Sequence, residues 1–489
     1  MSNNTIKPPT LLQSIIPIIV LIGLISCNVL LLGNDTLSGA NQLALLFASA
    51  VAAFISWRNG IKWTDTMQGM IHTLIAAIPA ILILLVIGML SGTWMLSGIV
   101  PSMIYYGLNI LEPSYFLPAT LILCSIISVA VGSSWSTIAT IGVALLGIGK
   151  ALGFSEAIVA GAIISGAYFG DKISPLSDTT NLASAVTETP LFTHIRYMMY
   201  TTVPSMLLTI GLFVLLTFVG NQSGSDNTSQ EIQNTISSFY HVSPWLFVVP
   251  IITIFMIVKK IPAVPVLFIG ALLGAITAII AQPDVIASLT PDGKFSLTGV
   301  YTVLAKCLYG TTEVSTGNPA VDNLLTTGGM GGMLNTIWLI ITAMMFGGIM
   351  EAGQFLEKIM ITITKKVSST GGLVSATAGT TILFNLTAGD QYMAIVIPGK
   401  MFAKSFRQAR LAPQVLSRTL EDSGTVTSVL IPWNTCGATQ ASILGVATAV
   451  YAPFAFFCYL SPIMTVVYAW LNIKIKRINA ETKLPAESD

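Results

Sequence analysis

Two short stretches of this sequence combine carboxylates, hydroxyls and amides around a proline, within surroundings that are otherwise apolar. They are residues 170–181, GDKISPLSDTTN, and residues 421–437, EDSGTVTSVLIPWNTCG. Charge at membrane depth costs roughly 3 kcal/mol or more per group and persists mainly beside a cavity, a partner or an ion. A proline there frees backbone carbonyls, and the nearby oxygens can bind a cation. Each stretch predicts a broken helix lining an ion or substrate site; the alternative is a polar loop between helices.

The oxygen-bearing side chains of these stretches are candidate ligands for a hard cation. Sodium favours about five or six oxygens from carboxylates, hydroxyls, amides and carbonyls. The candidates are Asp171, Ser174, Asp178, Thr179, Thr180, Asn181, Glu421, Asp422, Thr425, Asn434 and Thr435. Within them we expect sodium at Asp178, Asn181, Asp422 and Asn434.

Five carboxylates are candidates for proton exchange: Asp171, Asp178, Asp390, Glu421 and Asp422. Desolvation in a pocket raises the pKa of a carboxyl group, which can then hold either a proton or a metal cation. That competition is sufficient for proton/cation antiport. We favour Asp178 as the exchanging group because it lies in the hydroxyl-rich part after Pro175.

Simpler roles stay open for three of these carboxylates. Asp171 could pair with the adjacent Lys172. Glu421 follows Arg418 by three residues, which allows a salt bridge on one helix. Asp390 could cap a half-helix.

Composition identifies the chain as an all-helical integral membrane protein. Of its 489 residues 53% are hydrophobic and 9% are charged, with mean hydropathy +0.80, whereas a soluble domain carries roughly 25% charged residues. The net charge of +1 gives no basic field for nucleic acid. The sequence contains no CxxC, HExxH or GxxxxGK[ST] motif, which argues against a zinc site and an ATP-driven pump. No cofactor is expected. The first apolar run, Leu11–Gly33, predicts a transmembrane helix rather than a signal peptide.

Polar interruptions divide the chain into two repeats. Short apolar segments flanking a Gly/Ser/Asp tip are typical of a re-entrant hairpin or of two helices with a buried polar turn. The predicted units of the first half are a repeat at 1–220, containing a hairpin at 115–151 and a broken helix at 156–190, then an outer polar linker at 221–243. Those of the second half are a repeat at 244–474, containing an outer loop at 282–335, a hairpin at 372–406 and a broken helix at 414–450, then a cytoplasmic tail at 475–489.

Two landmarks recur with one offset between the halves. Gly132 and Gly389 at the hairpin tips are 257 residues apart, and so are Pro175 and Pro432. Lys and Arg placement puts both termini in the cytoplasm, so the two hairpins enter from opposite faces. The sequence therefore predicts inverted repeats, which are typical of secondary transporters.

At this point the motifs resemble a known family. GDKISPLSDTTNLASAV, LFTHIRYM, EDSGTVTSVLIPWNTCG, VGSSWSTIATIG and TAGDQYMAIVIPGKM resemble the NhaC family of bacterial sodium/proton antiporters, within the ion-transporter superfamily. The resemblance implies inverted repeats, a scaffold part and a mobile transport part with elevator-type movement. It implies the ion site at the motif residues above, with Ser133, Ser134, Ser136, Thr137, Asp390 and Gln391 at the hairpin tips. The family also includes malate/lactate antiporters.

The leading hypothesis is a multi-pass antiporter of the bacterial inner membrane that exports sodium in exchange for protons. The alternative is a sodium- and proton-coupled exchanger of a small organic anion or an amino acid, with assembly as a homodimer left open. An anionic substrate would need a cation in the cavity, and Lys172 is the only basic residue of the central motifs. An enzyme is not expected, because no histidine or lysine is obviously paired with Ser134 or Ser174. A passive channel would need no inverted repeat.

Overall fold

Helices form nearly all of the regular structure of this computed structural model, which describes residues 7–32, 39–219, 226–312, 314–364 and 369–478. The α-helices of the first half are α1 (Leu11–Leu32), α2 (Ala40–Arg58), α3 (Trp63–Leu96), α4 (Ile99–Ile110), α5 (Phe116–Val131), α6 (Ser134–Thr137), α7 (Val143–Ala151), α8 (Glu156–Ile173), α9 (Asp178–Val186), α10 (Leu191–Val219) and α11 (Asp226–Phe239).

The second half continues in the same manner. Its α-helices are α12 (Val248–Val258), α13 (Ala263–Ala281), α14 (Pro283–Ser288), α15 (Leu297–Tyr309), α16 (Pro319–Leu325), α17 (Gly329–Gly332), α18 (Leu334–Ala352), α19 (Phe355–Thr364), α20 (Thr370–Thr387), α21 (Gln391–Gln408), α22 (Pro413–Leu420), α23 (Val426–Ser428), α24 (Thr435–Leu444), α25 (Thr448–Tyr451) and α26 (Phe456–Trp470). Ile138–Gly142 and Glu421–Thr425 are π-helical, and Pro244–Phe247 and Ala452–Phe454 are 3-10 helices. Isolated bridges pair Thr312 with Thr327 and Leu411 with Arg477.

Seven helical segments of the described chain are long and apolar enough to cross a membrane, or up to nine if two bent pairs each count as one span. The seven are Leu11–Leu32, Ala40–Arg58, Trp63–Leu96, Ser134–Ala151, Leu191–Phe218, Ala263–Ala281 and Gly329–Ala352. An apolar helix of about 20 residues matches the thickness of the hydrocarbon core. The helical fold therefore agrees with the all-α membrane protein that the composition predicts.

The two polar tips are tight turns that start a new helix. Gly132 ends α5 with φ 72° and Gly389 precedes α21 with φ 67°, a left-handed conformation that favours glycine. The next residue caps the following helix in both turns: the Ser133 hydroxyl accepts from the Ser136 N–H, and the Asp390 carboxylate accepts from the N–H groups of Tyr392 and Met393.

The helix interruptions also correspond between the halves. Residues 174–177 separate α8 from α9, and residues 429–434 separate α23 from α24. Ser177 caps α9 and Asn434 caps α24, again 257 residues apart.

One tertiary hydrogen bond recurs with this same offset. The Ser128 hydroxyl donates to the Ala167 carbonyl at 2.6 Å, and the Asn385 amide donates to the Gly424 carbonyl at 2.6 Å. Donors and acceptors are each 257 residues apart, so each hairpin's first arm contacts the following broken helix in an equivalent way. The inverted orientation of the halves, the scaffold and transport parts and the elevator-type movement stay predictions.

Small residues allow the close contact between α5 and α8. A Cβ atom at Gly166 would lie 2.9 Å from the Cys124 Cβ, and one at Gly170 would lie 2.6 Å from the Ser128 Cβ. The backbones approach where side chains are absent, as in other membrane helix pairs. This packing holds α8, which carries Asp171 and Lys172, against the first hairpin.

The segments predicted as a linker and a loop contain regular structure. The predicted linker 221–243 contains the amphipathic α11, whose Ile232 and Ile236 are buried four residues apart. The predicted outer loop 282–335 contains α14 to α17. A short helix needs only one apolar stripe to pack against the core, so a polar segment can contain one; the assignment of these ranges as a linker and an outer loop stays a prediction.

A carboxylate-lined cavity at the hairpin tips

A cavity of about 740 Å³ lies where both hairpin tips meet the first helix break and the start of α24. Its polar and aromatic lining consists of Ser133, Trp135, Ser136, Asp171, Asp178, Thr179, Asn181, Lys260, Asp390, Gln391, Tyr392 and Thr435. Its apolar lining includes a wall from the middle of α3, with Ala76, Pro79, Ala80 and Ile83. Segments from distant parts of the chain thus bring three carboxylates to one space.

Asp171 is the carboxylate held by the first tip. Its side chain is almost wholly buried near the end of α8. One oxygen, Oδ2, accepts from the Ser134 hydroxyl at 2.7 Å and from the Ser134 N–H at 3.1 Å. The tip of the first hairpin is therefore fastened to the first broken helix through Asp171.

Asp178 is the most exposed of the three cavity carboxylates. It is the first residue of α9, where the N-terminal end of a helix favours negative charge. Its Oδ2 accepts from the Tyr392 phenol at 3.0 Å. Because Tyr392 follows the second tip, this bond joins the first half of the chain to the second. Asp178 is thus accessible from the cavity and held by one neutral donor.

Asp390 is buried and serves as a helix cap. Its Oδ1 accepts from the N–H groups of Tyr392 at 2.9 Å and Met393 at 3.0 Å. The Thr435 N–H donates to the Gly389 carbonyl at 2.8 Å, which fastens this tip to the second helix break. The capping role that the sequence left open is present, and the same residue also lines the cavity.

Glu421 and Asp422 lie in the π-helical segment, behind the cavity wall. Both are fully buried, and Glu421 Oε1 accepts from the Thr179 hydroxyl at 3.1 Å. Because Thr179 itself lines the cavity, Glu421 is one hydroxyl away from it. Asp422 forms an ion pair with Lys172 and accepts from the Thr201 hydroxyl at 2.7 Å. Lys172 also donates to the Ser461 hydroxyl at 2.6 Å.

Two ion pairs that the sequence suggested, Asp171 with Lys172 and Glu421 with Arg418, do not form among the described residues. Lys172 pairs with Asp422 rather than with the adjacent Asp171, because neighbouring residues on a helix point in different directions. Arg418 forms no salt bridge with Glu421 among the described residues. Its guanidinium instead lies 4.6 Å from the centre of the Tyr197 ring.

The structure does not bring the four expected sodium ligands together at the cavity. Asp178 and Asn181 line it, whereas Asp422 and Asn434 do not. The Asn181 amide donates to the Ser177 carbonyl at 2.6 Å, and the Asn434 amide donates to the Asn385 carbonyl at 3.1 Å. Among the described residues, no cluster of three or more His, Cys, Asp or Glu side chains could hold a metal ion. A sodium site here needs hydroxyl and carbonyl oxygens beside its carboxylates.

The other candidate residues divide by their contacts. Those that line the cavity are Ser133, Ser136, Thr179, Gln391 and Thr435. Three hydroxyls away from it bond to backbone carbonyls: Ser174 to Val129, Thr180 to Lys172 and Thr137 to Ser133. Thr425 is buried, and its hydroxyl has no hydrogen-bond partner within the described chain.

Tyr392 and Lys260 are polar cavity residues that lay outside the predicted set. Tyr392 directly follows Gln391 of the second tip, and this position in the sequence could have predicted that it lines the cavity. Lys260 belongs to the turn between α12 and α13 and is the one cation among the described lining residues. In the sequence Lys260 belongs to an ordinary basic turn at a helix end, and nothing there predicts that it lies near the hairpin tips.

Comparisons with known proteins give one matching family model and several similar antiporters. The model of the Na+/H+ antiporter family matches residues 166–473. Similar proteins include the Na(+)/H(+) antiporter NhaC of Alkalihalophilus pseudofirmus, 38% identical over 89% of this chain and 91% of that protein. The malate-2H(+)/Na(+)-lactate antiporter of Bacillus subtilis is 34% identical over 95% of each chain. The arginine/ornithine antiporter ArcD of Halobacterium salinarum is 35% identical over 99% of this chain and 96% of its own.

Proposed function

Because this chain belongs to the Na+/H+ antiporter family, we propose that it exchanges sodium for protons across the bacterial inner membrane as a secondary antiporter. The observation that supports this most directly is the convergence of Asp171, Asp178 and Asp390 on one cavity. Three carboxylates against one lysine, Lys260, favour a cation inside it. Both termini are cytoplasmic in this proposal, as the basic residues predict.

Competition between a proton and sodium at these carboxylates would couple the two fluxes. Asp178 is the best placed to exchange, because it is accessible from the cavity and has a single hydroxyl donor. Asp171 and Asp390 are fixed by two hydrogen bonds each and would complete the sodium shell. Glu421, reached through the Thr179 hydroxyl, is a second place for a proton.

A second cavity supports alternating access. It has a volume of about 330 Å³, and three helices line both cavities at successive positions. On α3, Ile83 lines the first cavity and Ile87 lines the second. On the helical segment Ser134–Ala151, Ser136 lines the first cavity and Ala139, about one turn later, lines the second. On α24, Thr435 lines the first cavity and Ser442 lines the second. The two spaces are thus separated by short stretches of the same helices, as a transporter with two access routes requires.

The alternative function is coupled exchange of an organic solute. A volume of about 740 Å³ falls within the usual range for small-molecule pockets, and its apolar α3 wall could contact a carbon chain. One similar protein is named a malate-2H(+)/Na(+)-lactate antiporter and another an arginine/ornithine antiporter. The excess of carboxylates favours a cationic solute over an anionic one.

The test is proton flux into proteoliposomes that contain only this protein, followed with a pH-sensitive dye. A pH gradient is imposed and sodium is added first, then malate, lactate, arginine and ornithine in separate runs. We expect sodium alone to collapse the gradient, and Asp178→Asn to abolish that response. Asp292→Asn, an exposed carboxylate of the 289–296 turn, is the matched control and should keep it.

Two results would reject the proposal in different ways. Normal sodium-driven flux in Asp178→Asn would remove Asp178 as the exchanging group. Absence of any flux until an organic solute is added would replace cation exchange with solute exchange. Homodimer formation stays a separate prediction.

A further inference from the structure

A second polar site lies at the end of the helical bundle, remote in sequence from the hairpin tips. It is a groove of about 390 Å³ between the start of α10, the start of α22 and the segment after α26. Its lining residues are Thr193, Arg196, Tyr197, Tyr200, Gln414, Lys474, Ile475 and Lys476. These described residues include three cations and no acid, so the groove has a net charge of +3.

The groove is held in shape by hydrogen bonds rather than formed by a loose tail. The Tyr197 phenol donates to the Lys474 carbonyl at 2.6 Å and accepts from the Lys476 N–H at 3.2 Å. The Ala412 N–H donates to the Lys476 carbonyl at 3.0 Å, and the Ile478 N–H donates to the Arg410 carbonyl at 2.9 Å. The backbone after α26 is therefore fixed with its lysines beside α10.

A buried arginine adds a fourth positive charge behind the groove. Arg418 is fully buried, and its guanidinium lies over the Tyr197 ring that forms the groove wall. None of its three side-chain nitrogens has a hydrogen-bond partner within the described chain. A buried charge without a counter-ion is costly, so an anion nearby would relieve the positive potential around Tyr197.

Apolar side chains beside the groove favour a lipid over a soluble anion. Phe192, next to Thr193, is 65% exposed, and Trp470 and Leu471, just before Lys474, are 63% and 64% exposed. Exposed aromatic residues next to basic residues at helix ends are typical of the headgroup level of a bilayer. Basic pockets between membrane helices bind lipid headgroups. We propose that this groove binds the phosphate headgroup of an anionic phospholipid, whose acyl chains lie along Phe192, Trp470 and Leu471.

This inference is independent of the proposed antiport and is tested by binding alone. The full-length protein in a neutral detergent is titrated with phosphatidylglycerol, and bound lipid is counted by native mass spectrometry. The variant is Lys474→Gln/Lys476→Gln. The control is Lys62→Gln/Lys259→Gln, which removes two exposed charges outside the groove. Lys474→Arg/Lys476→Arg keeps the charge and should keep the binding.

We expect Lys474→Gln/Lys476→Gln to weaken phosphatidylglycerol binding roughly 30-fold, at about 1 kcal/mol for each lysine. The control should stay within about twofold of the unmodified protein, and phosphatidylcholine should bind weakly to all variants. Unchanged binding in Lys474→Gln/Lys476→Gln, or an equal loss in the control, would overturn the site. Full displacement of the lipid by an equal concentration of inorganic phosphate would overturn the lipid assignment in favour of a soluble anion.

Discussion

The buried ion pair between Lys172 and Asp422 connects the two halves of the chain, because Lys172 lies in the last turn of α8 and Asp422 lies in the π-helical segment Glu421–Thr425. Removing one partner of a buried pair leaves an uncompensated charge and costs about 3–5 kcal/mol. We therefore expect Lys172→Met to lower the free energy of unfolding by this amount. Lys172→Met/Asp422→Leu should regain most of it, since no charge stays buried. Chemical denaturation in detergent measures both.

The exposed ion pair between Arg407 and Glu188 provides the control for the buried pair. Arg407 and Glu188 lie 3.1 Å apart on the surface, where such pairs contribute at most about 1 kcal/mol. Arg407→Met should accordingly change stability little. If the double substitution at 172 and 422 is as unstable as Lys172→Met alone, the pair is not the source of the effect.

The phenol of Tyr392 is the single hydrogen-bond donor to Asp178 among the described residues. Tyr392→Phe keeps the ring and removes this donor, so the carboxylate loses a contact that orients it. A net hydrogen bond is worth about 1 kcal/mol, and we expect the apparent KM for sodium to rise roughly fivefold. Sodium-dependent proton flux measures it. Tyr301→Phe, 76% exposed on α15, is the control, and equal KM values in both variants would contradict this role.

The first hairpin tip depends on glycine for both its backbone conformation and its space, whereas the glycine that ends α24 is needed for conformation only. Gly132 has φ 72°, and a Cβ there would lie 2.5 Å from the Leu176 Cβ in the first helix break. Gly445 has φ 67°, but a Cβ there would meet nothing within 4 Å. Substitution by alanine therefore costs about 1–2 kcal/mol at either position for the left-handed backbone conformation. Only at Gly132 does the added Cβ also clash with a neighbouring side chain.

These two glycines form a matched pair of variants. Gly132→Ala should lower both stability and transport more than Gly445→Ala, because it pushes the first tip away from the helix break. Thermal unfolding and sodium-dependent flux measure the two effects. Equal losses in the two variants would mean that the contact between tip and break is dispensable.

The positions of these tips and breaks follow from local composition, but the partners of their side chains do not. Gly132, Gly389 and the capping residues that follow them are visible as short polar interruptions of apolar sequence. Thr179 and Glu421, by contrast, meet across 242 residues. Which acid accepts from Thr179 depends on how the two broken helices pack, and no pattern within either helix specifies it.

The dependence of side-chain partners on helix packing also explains why two of the four predicted sodium ligands do not line the cavity. Asp422 and Asn434 have the right chemistry, yet one is neutralised by Lys172 and the other supports the Asn385 backbone. Oxygen-rich residues in a membrane segment serve either an ion or the backbone groups that a broken helix exposes. Residue type alone does not separate the two uses, and Asp390 serves both, because it caps α21 and also lines the cavity.

The two cavities of the molecule predict that the residues lining them are accessible from opposite sides of the membrane. Asn181 is exposed in the first cavity, and Ser442 lines the second. The second cavity also contains the Lys150–Glu156 ion pair, 2.7 Å between Nζ and Oε1. If access alternates, a reagent confined to one side of the membrane should reach each cavity from a different side.

Cysteine labelling tests this arrangement in a background with Cys27→Ser, because the other four cysteines are buried. Asn181→Cys and Ser442→Cys are treated with a membrane-impermeant maleimide applied to either face of reconstituted vesicles. We expect labelling from opposite faces, and we expect sodium to change the two rates in opposite directions, since opening one cavity closes the other. Asp292→Cys, in an exposed turn, should label from one face at a rate that sodium leaves unchanged. Labelling of both cavity positions from the same face would show that the cavities are not two ends of one route, and parallel changes with sodium would argue against their alternation.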